Sequence, residues 1–131
     1  MLIKGPGKRA KVNTHTKNME QLVKNRKLHL NLNNFLSTRN RNFNYTAWNN
    51  KKLIGFALLK PANKNSIEIE LIVTKSMGQG IGKQLMNQIK MNALAKKFKT
   101  INLVSLPNAK PFYIKQKFTP VDEYKFQYAL K

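Results

Sequence analysis

The sequence predicts a mixed α/β domain in which a twisted, mixed sheet is flanked by helices. Three observations carry that prediction. Apolar residues alternate through Ile67, Ile69, Leu71 and Val73, with the period of two that marks a strand. The run Gly78-Gln79-Gly80-Ile81-Gly82-Lys83 follows, and Ile81, Leu85, Ile89 and Ala93 then recur at four-residue spacing, with Met86 and Leu94 beside them, as on the buried face of a helix. Short apolar runs on either side are bounded by Asn-, Gly- and Pro-rich turns, so strands and helices alternate along the chain.

The elements follow in order. Residues 4–18 hold Gly5-Pro6-Gly7 and the cations Lys8, Arg9, Lys11 and Lys17 with little that is apolar, which predicts an extended basic arm over 1–18 ahead of a single domain over 19–131. Met19, Leu22, Val23, Arg26 and Leu30 fall near helical spacing, predicting one or two short helices up to Leu36 with a break near Asn33-Asn34. An Asn-rich loop over 40–44 leads into a hairpin of Phe43–Trp48 and Leu53–Leu59. Pro61–Asn65 turns the chain into the strand Ser66–Thr74. After the glycines and their helix come a strand over Thr100–Leu106, an exit at Pro107-Asn108, a short helix over Ala109–Gln116 and a last strand over Tyr124–Leu130.

The chain carries 25 Lys+Arg against 5 Asp+Glu, a net charge of +20, far more than solubility requires. Such a surface attracts polyanions, so nucleic acid or an acidic protein is an expected partner, met through the basic surface and the arm. Only Arg9, Arg26, Arg39 and Arg41 are arginines, which favours diffuse attraction over bidentate recognition. Lys, Asn and Ile are all abundant and share A/T-rich codons, so genome composition is the competing explanation of the charge. With no cysteine and only His15 and His29, disulfides and thiol nucleophiles are excluded and a metal site is not expected. No apolar run of about 18 residues exists and the N-terminus lacks a signal-type apolar stretch, which predicts an intracellular, cytoplasmic protein without a membrane span.

A strand that ends in glycines and opens a helix is a phosphate cradle in physical terms. The helix start presents unpaired N–H groups and the positive end of a dipole, and glycine lets an oxygen approach them. Two familiar glycine motifs are excluded by spacing, because a dinucleotide fingerprint needs glycine at Lys83 or Leu85 and a Walker loop needs it at Met77, with Ser or Thr at Gln84.

Four segments in this order resemble the GNAT N-acetyltransferase superfamily over residues 45–130. Trp48–Leu59, with Ile54-Gly55-Phe56, is similar to its second and third strands, and Glu68–Val73 to its fourth. Met77–Gly82 resembles its pyrophosphate loop. Asn108–Phe118 resembles its A-x-P-F-Y-x-K-x-G-F segment. The resemblance implies acetyl-CoA as co-substrate and a sheet splayed between the fourth and fifth strands, with pantetheine pairing to the backbone at Leu71, Ile72 and Val73. It also implies that Gly78, Gln79, Gly80, Ile81, Gly82 and Lys83 hold the pyrophosphate and that Tyr113 protonates the departing thiolate. Asn108 would hydrogen-bond pantetheine, or serve as a helix cap.

Glu68 and Glu70 project to one side of their strand by the period-two rule. The resemblance implies that one of them is the general base, Glu70 first and Glu68 beside it; simple pairing with neighbouring lysines is the alternative. Met77 stands where the family has Arg or Gln, and Lys117 where it has glycine. The connection from Val73 to Gly78 is about one residue shorter than the family's. These departures weigh against catalysis more than against CoA binding. The rival reading is a non-catalytic basic module of the same fold that binds nucleic acid or a larger assembly such as a virus particle. The amine acceptor is not specified by the sequence, although a strongly cationic surface repels polyamines and basic tails and suits an anionic or acid-bound amine.

Overall fold

The computed structural model describes residues 1–36, 43–76 and 78–131. Among them, β1 (Leu2–Lys4), β2 (Tyr45–Asn49), β3 (Lys52–Pro61), β4 (Ser66–Thr74), β5 (Thr100–Val104), β6 (Thr119–Pro120) and β7 (Lys125–Ala129) form one sheet in the order β1-β2-β3-β4-β5-β7-β6. β4 and β5 run parallel, while the other neighbours are antiparallel. The helices are α1 (Thr16–Asn25), α2 (Asn33–Leu36), α3 (Ile81–Ala95) and α4 (Lys110–Lys115). This is the mixed α/β sheet, flanked by helices, that the sequence predicts. Met77 and residues 40–42 of the expected loop lie outside the described residues. No helix among the described residues is long and apolar enough to cross a membrane.

Each face of the sheet has its own apolar layer. Ile81, Leu85, Ile89 and Ala93 of α3 pack with Ile67, Ile69, Ile101 and Leu103, as their spacing predicts. On the other face Met19, Leu22 and Val23 of α1 meet Trp48, Phe56, Leu58, Leu71 and Val73. With only ten residues, α1 is too short to be stable in isolation, so this burial holds it. The chain leaves α1 at Arg26 and takes a left-handed backbone at Lys27 (φ +55). The helix break therefore falls before Asn33-Asn34, which instead begin α2 beneath an Asn31 side chain that caps the Asn33 N–H at 3.1 Å.

The N-terminal segment differs from the extended arm expected of it. β1 adds to the sheet edge with Leu2 opposite Trp48 and Lys4 opposite Thr46. Ala10 and Val12 are buried in the α1 layer. Thr46 Oγ1 donates to the Ala10 carbonyl at 3.0 Å, and Trp48 Nε1 donates to Thr46 Oγ1 at 2.9 Å. Backbone pairing and two small apolar side chains tie the segment down, and neither leaves a periodic signal among its lysines.

Two features of β4 position the cleft. Opposite β3 the register passes from Leu58↔Leu71 to Leu59↔Ile69, leaving Glu70 as the extra residue of a bulge. A one-residue slip exchanges faces. Accordingly Ile67 and Ile69 lie in the α3 layer, whereas Leu71 and Val73 lie in the α1 layer. On its other side β4 pairs with β5 only from Ser66↔Thr100 to Ile69↔Leu103. β4 continues to Thr74, so its last part stands free of β5 and the sheet splays open there.

Candidate active site

The start of α3 is open and has the geometry an anion cradle requires. Gly80 is its N-cap at φ +78 and so offers no capping side chain, and no acidic residue lies in the first turn. The first N–H groups of the helix therefore remain available. A β-carbon at Gly78 (φ +82) or Gly80 would meet nothing within 4 Å, so at both positions glycine supplies a positive φ and leaves space. Gly82 has another purpose: a β-carbon there would stand 3.1 Å from the Phe112 ring, so this glycine lets α4 lie against the first turn of α3.

The free end of β4 supplies backbone groups. Lys75 N–H donates to the Ile54 carbonyl of β3 at 2.7 Å, and alternate residues of a strand turn their polar groups to the same side. The N–H and C=O of Leu71 and Val73 are thus committed to β3, and those of Ile72 and Thr74 point into the opening. Of the three positions expected to meet pantetheine, Ile72 is the one whose backbone faces the opening. The Thr74 carbonyl already accepts from Arg26 Nη1 at 2.7 Å, with Thr74 Oγ1 3.3 Å from the same nitrogen.

α4 places Tyr113. The Tyr113 ring lies 5.2 Å from Phe112 and 5.9 Å from both Phe118 and Phe126, and it is 6% exposed. Burial pushes its phenol up to about 12, so it carries its proton throughout the neutral range. The helix closes with Phe118 N–H on the Tyr113 carbonyl and Lys117 N–H on that of Ile114, both at 3.0 Å, the paired bonds of a Schellman ending. This ending requires a left-handed residue, and Lys117 adopts it at φ +72 despite its β-carbon. Asn108 is exposed in a short turn over Pro107–Ala109, and the caps flanking it are the backbones of Leu106 and Ala109.

These elements enclose a cleft of about 370 Å³. Of the residues singled out in the sequence, Ile72, Val73, Gly78, Gly80, Ile81, Gly82, Lys83, Asn108 and Tyr113 line it. Leu71, Gln79, Glu68 and Glu70 are not among its lining residues. Glu70 instead pairs with Lys60, Oε1 to Nζ 3.0 Å. That contact, followed by the fields of Glu70 and Glu68, raises the Lys60 ammonium pKa, so both carboxylates act on one lysine. Arg26, Ser76 and Lys115 also line the cleft, and sequence reasoning gave none of them a role. Arg26 reaches it through a bond spanning 48 residues, a pairing no local pattern encodes.

The cleft suits an anionic ligand with an apolar arm. Its described lining contains the cations Arg26, Lys83 and Lys115 and no carboxylate. Ser76 Oγ is buried without a hydrogen-bond partner among the described residues, a polar group that a ligand oxygen would satisfy. Together with the uncapped helix start, these residues fit a diphosphate-bearing CoA.

The family model described as "Acetyltransferase (GNAT) domain" matches residues 12–128. The aminoglycoside 6'-N-acetyltransferase from Enterococcus faecium shares the fold with a TM-score of 0.81 at 14% identity, over 100% of this chain and 98% of that one. Rv2747 from Mycobacterium tuberculosis, in complex with CoA and NLQ, superposes at 0.71 with 15% identity, over 93% of this chain and 74% of that one. An acyl-CoA N-acyltransferase from Pseudomonas aeruginosa gives 0.65 and 18%, over 86% and 85%. A comparison with curated protein sequences finds no significant match. The splayed β4–β5 sheet, the glycine turn into α3 and the family match over 12–128 agree: the chain belongs to the GNAT acetyltransferase family.

Proposed function

We propose that the protein is an acetyl-CoA-dependent N-acetyltransferase that passes the acetyl group to an amine by direct attack. The observation that carries this reading is the meeting, in one cleft, of the free β4 backbone at Ile72, the uncapped glycine start of α3 and the proton-bearing Tyr113. Acetyl-CoA supplies the activated thioester. The backbone from Gly78 to Lys83 holds its diphosphate, Ile72 N–H donates to the carbonyl oxygen on which negative charge builds, and Asn108 bonds the pantetheine arm. Tyr113 donates a proton to the departing sulfur. Glu70, two residues before Ile72, takes the proton of the amine through water, with Glu68 as the alternative base. Because Lys60 holds its Oε1, Oε2 is the accepting oxygen. The acceptor that suits the cationic cleft is an amine bearing an anionic group, or one on an acidic protein.

The test is acetyl transfer to a panel of amines. Tyr113→Phe should lower turnover by roughly 10- to 10,000-fold with acetyl-CoA affinity nearly kept. Equal turnover of the variant and the parent would remove Tyr113 from the reaction.

A second reading is favoured by one observation, the +20 charge: a basic module that binds nucleic acid or an assembly such as a virus particle without acetyl transfer. Such binding falls steeply with salt as counterions are released. Duplex binding near physiological ionic strength that exceeds that of an equally basic unrelated protein would support it, and equal binding would leave genome composition as the explanation.

A further inference from the structure

Among the described residues, the guanidinium of Arg26 is held on one side and has no partner on the other. At the C-terminal end of α1, it is half-buried and lines the cleft. Both interactions it makes, with the carbonyl and the hydroxyl of Thr74, use Nη1. The edge formed by Nε and Nη2 has no partner among the described residues. An arginine is charged at every relevant pH, and this edge presents two parallel N–H donors matched to two oxygens of a phosphate or carboxylate. Holding one nitrogen on Thr74 removes rotamer freedom in advance, which lowers the cost of binding an anion there.

The location selects among anions. Thr74 ends β4, its Oγ1 donates to the Ser76 carbonyl at 3.2 Å, and its methyl would lie 3.8 Å from a β-carbon at Gly82. Arg26 therefore stands one side chain away from the glycine turn and the first turn of α3. Within the loop 76–83 the one cationic side chain is Lys83, while a diphosphate carries about two negative charges to be matched. Leu28 and Ile72, also in the lining, are apolar and offer the anion no competing contact.

We propose that Arg26 is a diphosphate-binding residue: from α1 it clamps the anion that the α3 glycine turn cradles, joining the two sides of the cleft when CoA binds. This rests on the reading of the cleft as a CoA site. It also assigns α1 a ligand-dependent role, because the same side chain that anchors α1 to β4 closes on the bound anion.

The experiment compares CoA with pantetheine, which has the thiol arm and no diphosphate. Calorimetry follows CoA, and chemical-shift titration follows the weaker pantetheine. Arg26→Gln should lose roughly 10- to 100-fold in CoA affinity with pantetheine affinity unchanged, and Arg26→Lys should fall between, keeping charge but losing the fork. In the parent protein labelled at arginine Nε, the Arg26 Nε–H resonance should shift with CoA and stay with pantetheine, which tests the contact even if the variants do not fold. The proposal is overturned if folded Arg26→Gln binds CoA as tightly as the parent, if it loses both ligands equally, or if the resonance does not respond to CoA. An acidic acceptor amine that shifts the resonance when CoA does not would assign the fork to the acceptor. A parent protein that binds neither ligand refutes the CoA site itself, a result separate from any failure of Arg26.

Discussion

Phe112 lies against Gly82 so closely that a β-carbon on the glycine would sit 3.1 Å from two atoms of the ring. This contact docks α4, and Tyr113 beside Phe112, on the first turn of α3. The glycine turn and the candidate proton donor are thereby set at a fixed distance by one missing methyl group. The neighbouring glycines do something else, since space is open at Gly78 and Gly80 and only the backbone conformation demands them.

The two kinds of glycine respond differently to alanine. Gly80→Ala forces a β-carbon into the left-handed region and should destabilise the protein by about 1–2 kcal/mol. Gly82→Ala gains about 1 kcal/mol of helix propensity, set against displacement of Phe112, so stability should change by less than about 1 kcal/mol. Denaturant unfolding of both variants checks this, and a larger loss at Gly82 than at Gly80 would contradict it.

Lys117 holds a left-handed backbone at φ +72, and among the described residues its ammonium makes no ion pair that would offset the strain. Lys117→Gly should therefore stabilise by about 1 kcal/mol, seen as a higher midpoint at unchanged slope. It also removes a positive charge near Lys90, whose ammonium pKa is lowered by burial and then by Lys117, so the two effects have the same sign.

Burial of Tyr113 couples stability to alkaline pH. Its phenol moves from about 10 to about 12 on folding, meaning that the folded state favours the protonated form. The stability it contributes is complete below pH 10 and is lost as pH rises through about 12, amounting to roughly 3 kcal/mol for this 6%-exposed side chain. Comparing the parent with Tyr113→Phe over that window isolates this effect from lysine titration. Curves that remain parallel would contradict it.

Much of this fold is legible in the sequence because burial writes periods. Ile81, Leu85, Ile89 and Ala93 announce α3, and the alternation through Ile67, Ile69, Leu71 and Val73 announces β4. Alternation alone, however, places those four strand residues on one face, whereas the bulge at Glu70 divides them between two layers. A bulge is one residue of register, with no compositional mark. The glycine turn into α3 and the place of Tyr113 on the cleft are legible because their motif is local. β1 is hidden by its three-residue length, and Arg26 by the 48 residues separating it from Thr74.

The Lys60–Glu70 pair separates stability from reaction. Lys60 is 42% exposed along its side chain, so Lys60→Met should change stability by less than about 1 kcal/mol. Glu70→Gln should lower turnover by roughly 10- to 10,000-fold if Glu70 is the base. Unchanged turnover in Glu70→Gln, with a loss in Glu68→Gln, would transfer the role to Glu68.

The glycine turn into α3 is proposed to hold the diphosphate of CoA. Calorimetric titration of the parent and of Gly80→Asp with acetyl-CoA measures this, with melting curves to establish that both are folded. The aspartate puts bulk and negative charge where the cradle is open, so the parent should bind and gain thermal stability with ligand, while the variant should do neither. Equal affinity in a folded Gly80→Asp protein would contradict the assignment.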